Sequence, residues 1–368
     1  MENTLKWTII GGGNGGQTTA GHLGMMGFDV TLYDIFEQTV DRINAQGGIH
    51  LEDALNGFGK VTCATTDMGK AVTGADVIFV TVPATAHVNV AKACAPYLKD
   101  GQIVILNPAA TFGSLAFLKT LEDEGCTANV VLGETNTLLY GCRIIEPGRT
   151  QVFGLKNRIL TAILPATETE RVVGVLQTAF PQFEPCESVL VTSFDNTNPI
   201  LHPATTIFNA GKIESADEWR FYVDGFTPSI GRYVEQMDEE RMAIGRMFGL
   251  NLLSCREQME VEYNVFEDTL ANAVSKNPVY QDIKGQKTLD TRYLTEDIPM
   301  GLVPFIELGK MLGLPTTHME SVVAMGQLLL GKDLMAEART LASLGLEGMG
   351  KDAFLEFVRT GRKACGEI

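Results

Sequence analysis

The sequence predicts a doubly wound α/β domain followed by an all-helical domain, on three observations. A strand, a glycine-rich turn, a helix and a second strand open the chain. Short, nearly continuous apolar runs then alternate with helix-like stretches up to about residue 186, and long amphipathic stretches replace them beyond it. The change of period places the division at residues 1–187 and 188–368.

The opening unit is WTII, then the glycine cluster, then a helical stretch through Leu23 and Met26, then FDVTLYD, rich in strand-forming residues. ADVIFVTVPA (75–84) and QIVILNPAA (102–110) are apolar throughout, as strands buried on both faces should be, with a helix between them in AHVNVAKACAPYL. NVVLGET and RILTAILPA are further strands and TERVVGVLQTAFP a helix. In the second half VEQMDEERMAIGRMFGL, FEDTLANAV, GLVPFIELGKMLG and HMESVVAMGQLLLG each place apolar residues at helical spacing.

Composition bounds the function classes. With 45% hydrophobic and 20% charged residues the chain has ample material for a core, which excludes disorder and a fibrous role. The net charge of −16 opposes binding to nucleic acid or to an anionic membrane. Seven scattered cysteines, odd in number and without a C-x-x-C pair, argue for reduced thiols and against a disulfide framework or a metal site. No signal-like apolar segment follows the N-terminus and no run of membrane-spanning length occurs, so the expected location is the cytoplasm.

Residues 11–16 read GGGNGG, a G-x-G-x-x-G turn of Gly11, Gly13 and Gly16 with Asn14 and Gly15 inside it. After a strand and before a helix, such a turn lets the backbone approach a pyrophosphate that rests on the helix N-terminus. Asp34 follows Gly16 by 18 residues, at the end of the second strand, where a carboxylate accepts from ribose hydroxyls. Ile35 and Phe36 come next, with no cation for a 2′-phosphate, so NAD is expected over NADP. Pro83 and Asn107 close two later strands at the carboxyl edge; Pro83 either holds its loop against the cofactor or simply ends the strand. Glu134 lies near the same edge, as a ligand contact, a solvated acid or a helix cap.

Five histidines are available for proton transfer. His22 belongs to the first helix, His50 to a loop, His87 follows the fourth strand and His318 leads into a helix. His202 stands apart in NTNPILHPATT, where Pro199 and Pro203 disfavour α conformation at Asn198 and His202 and place the pair at a helix start or break. Catalysis and substrate contact compete there with capping by Asn198 and simple packing of His202. In LDTRYLTEDIPMGLVP, Arg292 offers a fork for a carboxylate and Asp297 can accept the imidazole N–H of His202, against a plain salt bridge within the segment.

The glycine turn, N-x-x-x-H-P at Asn198 to Pro203 and T-R-Y-x-x-E-D at Thr291 to Asp297 together resemble the opine dehydrogenases of the octopine/nopaline dehydrogenase family, in particular bacterial N-(1-carboxyethyl)-norvaline dehydrogenase-like members. NPAATFG, GFTPSIG and GLVPFIELG extend the resemblance over nearly the whole chain. It implies a Rossmann-type domain with a helical domain of the 6-phosphogluconate dehydrogenase type for substrate binding, catalysis and dimerisation. It further implies NADH-dependent reductive condensation of an L-amino acid with a 2-oxo acid, pyruvate first, by a homodimer. By the same resemblance His202 is the acid and base, Asp297 its partner, Arg292 the anchor of the oxo-acid carboxylate, and Asn198 positions the substrate. The amino acid is not indicated: apolar residues abound in the second half, while Glu214 and Asp217 would suit a basic one. The alternatives are a single-substrate 2-oxo or hydroxy acid reductase of the ketopantoate or glycerol-phosphate dehydrogenase type, with Lys212 as acid, and an NAD sensor without turnover.

Overall fold

The structure, a computed structural model, describes residues 5–215 and 218–362; Asp217 and Cys365 therefore lie outside the described residues. The chain divides into two compact units, one of residues up to Ser193 together with the segment from Glu356, the other Phe194–Leu355. This differs from a single division at 187/188 in two ways. The second unit starts six residues later (194 − 188), inside a helix, and the end of the chain returns to the first unit.

The strands of the first unit are β1 (Lys6–Ile10), β2 (Asp29–Tyr33), β3 (Gly48–Asp53), β4 (Gly57–Lys60), β5 (Cys63–Thr65), β6 (Val77–Val80), β7 (Ile103–Leu106), β8 (Val131–Thr135), β9 (Tyr140–Glu146), β10 (Arg149–Leu155), β11 (Ile159–Leu164) and β12 (Phe183–Pro185). Eight of them form one sheet in the order β12-β11-β8-β7-β6-β1-β2-β5. β1 pairs in parallel with β2 on one side and β6 on the other, so the strand order reverses at β1. That is the place where a doubly wound sheet binds its ligand. Among the described residues β11 with β8 is the one antiparallel pairing of this sheet, so β11 and β12 run against the other six strands.

The continuous apolar runs have the expected cause. In β6, Val77 and Phe79 join the core on one face, with Trp7, Phe28 and Phe180, while Ile78 and Val80 join the core on the other, with Val104 and Leu121. The helices are α1 (Asn14–Met25), α2 (Glu37–Gln46), α3 (Met68–Val72), α4 (His87–Cys94), α5 (Gly113–Asp123), α6 (Thr169–Leu176) and α7 (Val189–Asp195). A second sheet, β4-β3-β10-β9, packs on α1 and was not expected from sequence. It takes His50 out of the anticipated loop and into β3, where the ring lies against Phe58. Its strands are glycine-bearing and half exposed, so they lack the apolar signature of the main sheet.

The second unit is helical: α8 (Asn198–Phe208), α9 (Ala210–Glu214), α10 (Pro228–Met247), α11 (Cys255–Tyr263), α12 (Leu270–Lys276), α13 (Arg292–Thr295), α14 (Val303–Leu312) and α15 (Thr317–Leu330), while α16 (Lys351–Thr360) begins in this unit and ends in the first. Local signals set several ends. Pro228 follows the N-cap Thr227 of α10, and Ser254 with Glu257 forms a capping box on α11.

One buried ion pair ties this unit together. Arg241 of α10 is fully buried; it bonds Asp238 and donates to the carbonyls of Phe194 and Leu253, both at 2.7 Å. Asp238 in turn accepts from the Cys255 N–H at 2.6 Å, which holds the start of α11. Removing one partner of such a pair strands a charge and two carbonyls. Arg241→Met should therefore destabilise this unit by about 3–5 kcal/mol. Urea unfolding followed by fluorescence of Trp219, the tryptophan of this unit, measures the loss, and a shift under about 1 kcal/mol would contradict it.

Candidate active site

The glycine turn leaves β1 and enters α1 in a conformation only glycine permits easily. Gly11 has φ +103°, and a Cβ on Gly16 would overlap the Gly11 carbonyl oxygen. Thr81, just after β6, braces the turn from beside, its hydroxyl 3.0 Å from the carbonyl oxygens of both Ile10 and Gly11. α1 begins at Asn14 with Gly13 as N-cap; no side chain caps it and no acidic residue lies in its first turn. A Cβ on Gly13 would meet nothing within 4 Å, whereas Gly15 lies under Leu138. Open ground in front of an uncapped helix N-terminus, positive by its dipole, fits a pyrophosphate.

Asp34 is buried just beyond β2. One carboxylate oxygen accepts the Gly12 N–H and the other the Phe36 N–H at 2.8 Å. It thus fastens the glycine turn to the end of β2, with lone pairs left for ribose hydroxyls. Ile35 and Phe36 beside it are exposed, and neither is a cation. Asn14 is exposed, and its Oδ1 accepts from the Ile144 N–H of the small sheet at 2.8 Å. Pro83 is exposed at the N-cap of a short 3-10 turn after β6, a place that suits a loop wall. Asn107 is different from what was expected of a cofactor contact. It is buried and gives its amide hydrogens to Thr135 Oγ1 at 2.6 Å and the Thr137 carbonyl at 3.2 Å, so it fixes the loop after β7.

Glu134 proves to be the buried cap. It is fully buried in β8, accepts from the N–H and hydroxyl of Ser114 in the first turn of α5, and accepts from Thr192 and Ser193 through its other oxygen. Burial pushes its pKa up, against the pull of those four hydrogen bonds.

In the second unit the structure corrects one expectation about His202. It does not stand at a helix start or break: α8 runs unbroken from Asn198 to Phe208, with Pro199 in its first turn and Pro203 inside. Pro203, in the middle of the helix, has no N–H to give the Pro199 carbonyl, so α8 forgoes one internal hydrogen bond there. Asn198 is exposed and one turn ahead of His202, hence on the same face. Its N–H donates to the Asn196 side chain at 3.2 Å, while the N-cap residue Thr197 makes no side-chain capping bond.

Both ring nitrogens of His202 are engaged. Nδ1 lies 2.8 Å from Asp297 Oδ2 and Nε2 lies 2.7 Å from the Tyr222 hydroxyl. A carboxylate can only accept, so Nδ1 carries hydrogen and the neutral ring accepts at Nε2 from Tyr222. Tyr293 stacks on the imidazole at 4.1 Å between centroids and 25° between planes. His202 itself is 8% exposed.

Asp297 reaches His202 from a wide turn. α13 is followed by a π-helical turn, Ile298–Leu302, in which the Leu302 N–H returns to the Asp297 carbonyl. Pro299 and Pro304 cannot donate to the preceding turn, which disfavours a regular α-helix here. Gly301 lets the turn close on α8, since a Cβ there would overlap the Pro199 ring. The segment also holds the salt bridge expected as the alternative. Arg292 Nε is 2.5 Å from Glu296 Oε2, with the arginine side chain 72% exposed and the glutamate buried.

The other histidines are placed elsewhere. His22 Nδ1 bonds the Tyr140 hydroxyl at 3.0 Å, and burial lowers its pKa. His318 opens α15 and bonds Glu240 at 2.8 Å. Lys212 donates to the Asp224 carbonyl and lies over the Trp219 ring. Glu214 is exposed at the end of α9. Tyr222 and Tyr293 were missed as site residues. Tyr293 lay inside the motif already singled out, but Tyr222, in RFYVDG, carries no spacing or periodicity that marks it.

A nucleotide edge in an α/β unit and a carboxylate-oriented histidine in a helical one define a nicotinamide-dependent dehydrogenase as the class of protein. The NAD/NADP octopine/nopaline dehydrogenase alpha-helical domain family matches residues 185–330, and the NAD-dependent glycerol-3-phosphate dehydrogenase N-terminus family matches residues 6–114. An opine dehydrogenase of Arthrobacter sp. (strain 1C) is 38% identical over 350 residues, covering 95% of this chain and 97% of its own. Two solved structures share the fold over 99% of this chain and all of theirs. They are octopine dehydrogenase with NADH and agmatine, at TM-score 0.83 and 22% identity, and octopine dehydrogenase with NADH and pyruvate, at TM-score 0.80 and 23% identity. The chain belongs to the opine dehydrogenases of the octopine/nopaline dehydrogenase family, NAD-dependent oxidoreductases acting on a CH–NH bond.

Glu134 yields a stability prediction. Because burial raises its folded-state pKa above the ordinary 4.5, its favourable contribution is complete below about pH 4.5 and is lost as pH rises through the raised value. In urea unfolding at stepped pH, Glu134→Gln should gain on the parent as pH rises through that window, by at most about 1.4 kcal/mol per pH unit. A difference that does not change with pH would overturn this.

Proposed function

We propose that the chain joins the amino group of an L-amino acid to the carbonyl of a 2-oxo acid, pyruvate in the first instance, and reduces the imine with NADH in preference to NADPH. Pyruvate is the oxo acid named with the solved octopine dehydrogenase, and the preference for NADH rests on Asp34 followed by the uncharged Ile35 and Phe36. The observation that carries the catalytic reading is the 2.8 Å bond from His202 to Asp297, which fixes the tautomer and compensates the imidazolium.

When bound, the cofactor supplies the hydride that reduces the imine carbon. The protein's part is to handle protons and carboxylates. His202, once protonated, gives its proton to the carbonyl oxygen as the amine adds, takes one back from the added nitrogen, and gives that one to the hydroxyl as water departs from the carbinolamine. Asp297 holds the ring by accepting from Nδ1 at 2.8 Å. Arg292 binds the oxo-acid carboxylate with the part of its fork that Glu296 leaves free. Asn198, on the same face of α8 as His202, positions the substrate.

We place the enzyme in the cytoplasm as a homodimer through the helical unit. None of the six described cysteines forms a disulfide, and no helix among the described residues is long and apolar enough to cross a membrane. Leu328 and Leu329 of α15 offer exposed apolar surface for a partner copy.

Loss of NADH absorbance with pyruvate and a panel of amino acids, each run also without the amine, tests the reaction; oxidation with pyruvate alone would make the enzyme a simple 2-oxo acid reductase. His202→Ala should lower kcat by about 10²–10⁴-fold while leaving NADH binding, read by fluorescence titration, unchanged. Full turnover in that variant would remove His202 from the mechanism. Arg292→Ala should raise the KM for the oxo acid about tenfold or more with a smaller effect on the amino acid. An unchanged KM would move the anchor to Arg143 or Arg232.

A further inference from the structure

We propose that Tyr222 is the relay through which His202 exchanges protons with the substrate, an inference that rests on His202 being the acid and base of the reaction. Nδ1 of His202 is taken by Asp297 and Nε2 by the Tyr222 hydroxyl, so neither nitrogen is left to meet a substrate directly. The imidazole is 8% exposed and Tyr222 5%, which makes the phenol part of the wall around Nε2.

A phenol has one hydrogen to donate and can accept as well. With His202 neutral, Tyr222 spends its hydrogen on Nε2. With His202 protonated, Nε2–H donates to the phenol oxygen, and the phenol hydrogen is released to point away from the ring. The two states differ by one proton and one rotation of a hydroxyl, and the second is poised to act on a substrate oxygen.

The step balances as follows. The Tyr222 O–H bond breaks as its proton passes to the carbinolamine hydroxyl. The C–O bond cleaves with its electron pair, water leaves and a C=N bond forms from the nitrogen lone pair. The Nε2–H bond of His202 breaks as its proton passes to the Tyr222 oxygen. Tyr222 ends as it began, and His202 ends neutral with its hydrogen on the Asp297 side. The transfer has to be concerted, because burial pushes the phenol pKa well above 10, with the Tyr293 phenol and the Asp297 carboxylate acting in the same direction, so a free tyrosinate is not a resting state.

The phenol is held for this. Tyr280 stacks on its ring at 4.2 Å and 19°, and Phe221 meets it edge-on at 4.9 Å and 84°. The Tyr280 hydroxyl lies 3.5 Å from that of Tyr263, which anchors the stack on α11. Removing only the hydroxyl keeps these ring contacts, so Tyr222→Phe preserves the packing and deletes the relay.

The test is the single-turnover decay of NADH absorbance, with pyruvate and the amino acid that the panel shows to be turned over fastest, in mixtures of light and heavy water. For the parent enzyme the rate should fall along a bowl-shaped curve with deuterium fraction, as two protons move together. Tyr222→Phe should be at least tenfold slower, with NADH binding intact and a straight line in place of the curve. A variant within twofold of the parent, a slowed variant that keeps the curve, or a straight line for the parent itself would each overturn the relay. Should the variant fail to fold by circular dichroism, the shape of the parent's curve decides. His202→Ala is run beside it: if that variant keeps turnover, the acid–base reading has failed, whereas its loss with a fully active Tyr222→Phe sinks the relay alone.

Discussion

The imidazole of His202 sits inside a helix that is buried along almost its whole length, and a buried ring with two polar nitrogens is tolerated only if both are satisfied. Asp297 and Tyr222 satisfy them from 95 and 20 residues away. Each partner needs its own piece of local architecture. The carboxylate depends on a π turn that two prolines favour and on a glycine that lets this turn touch Pro199. The phenol depends on a stack of aromatic rings. An unpaired nitrogen here would cost about 1–3 kcal/mol, so the geometry that prepares the histidine for chemistry also keeps the second unit folded.

The first unit meets a similar demand with backbone in place of side chains. Its nucleotide edge is a set of helix N-terminal amides, and what must be fixed is the path of the chain from β1 into α1. Asp34 and Thr81 do this from two sides, Asp34 by accepting the Gly12 N–H and Thr81 by donating to the carbonyls of Ile10 and Gly11. Further along the edge, Asn107 and Glu134 fix the loop from β7 into α5 at the expense of any ligand contact from the Asn107 amide hydrogens. Both residues shape this edge through bonds to neighbouring protein groups.

What was legible in the sequence follows from which signals are local. The main sheet could be read because strands buried on both faces are apolar at every position, as Val77 to Val80 are. The glycine turn could be read because only glycine tolerates the backbone of Gly11 and the approach of Gly16. The second sheet was not legible, since its strands are half exposed and interrupted by glycine. At His202 the flanking prolines pointed to a break that α8 does not make, because a single forgone hydrogen bond costs less than the burial of Ile200, Leu201 and Ala204 returns. Tyr222 could not have been found at all. Its importance comes from a 2.7 Å contact made by tertiary packing, and a tyrosine in a loop of mixed residues looks like any other.

Arg292, proposed as the anchor of the oxo-acid carboxylate, stands in contrast to these buried groups. Its side chain is largely exposed, and an exposed ion pair such as that with Glu296 contributes only about 0–1 kcal/mol to stability. The pair is therefore not there to hold the fold. Nor can the net field of the protein assist, since a chain with 45 acidic and 29 basic residues repels a 2-oxo acid at long range. A local cation is needed, and Glu296 restrains it by the Nε side while leaving part of the planar fork to accept a carboxylate. An exposed arginine with one side tethered can take and release an anion without disturbing the core, while the proton chemistry stays buried where its partners are fixed.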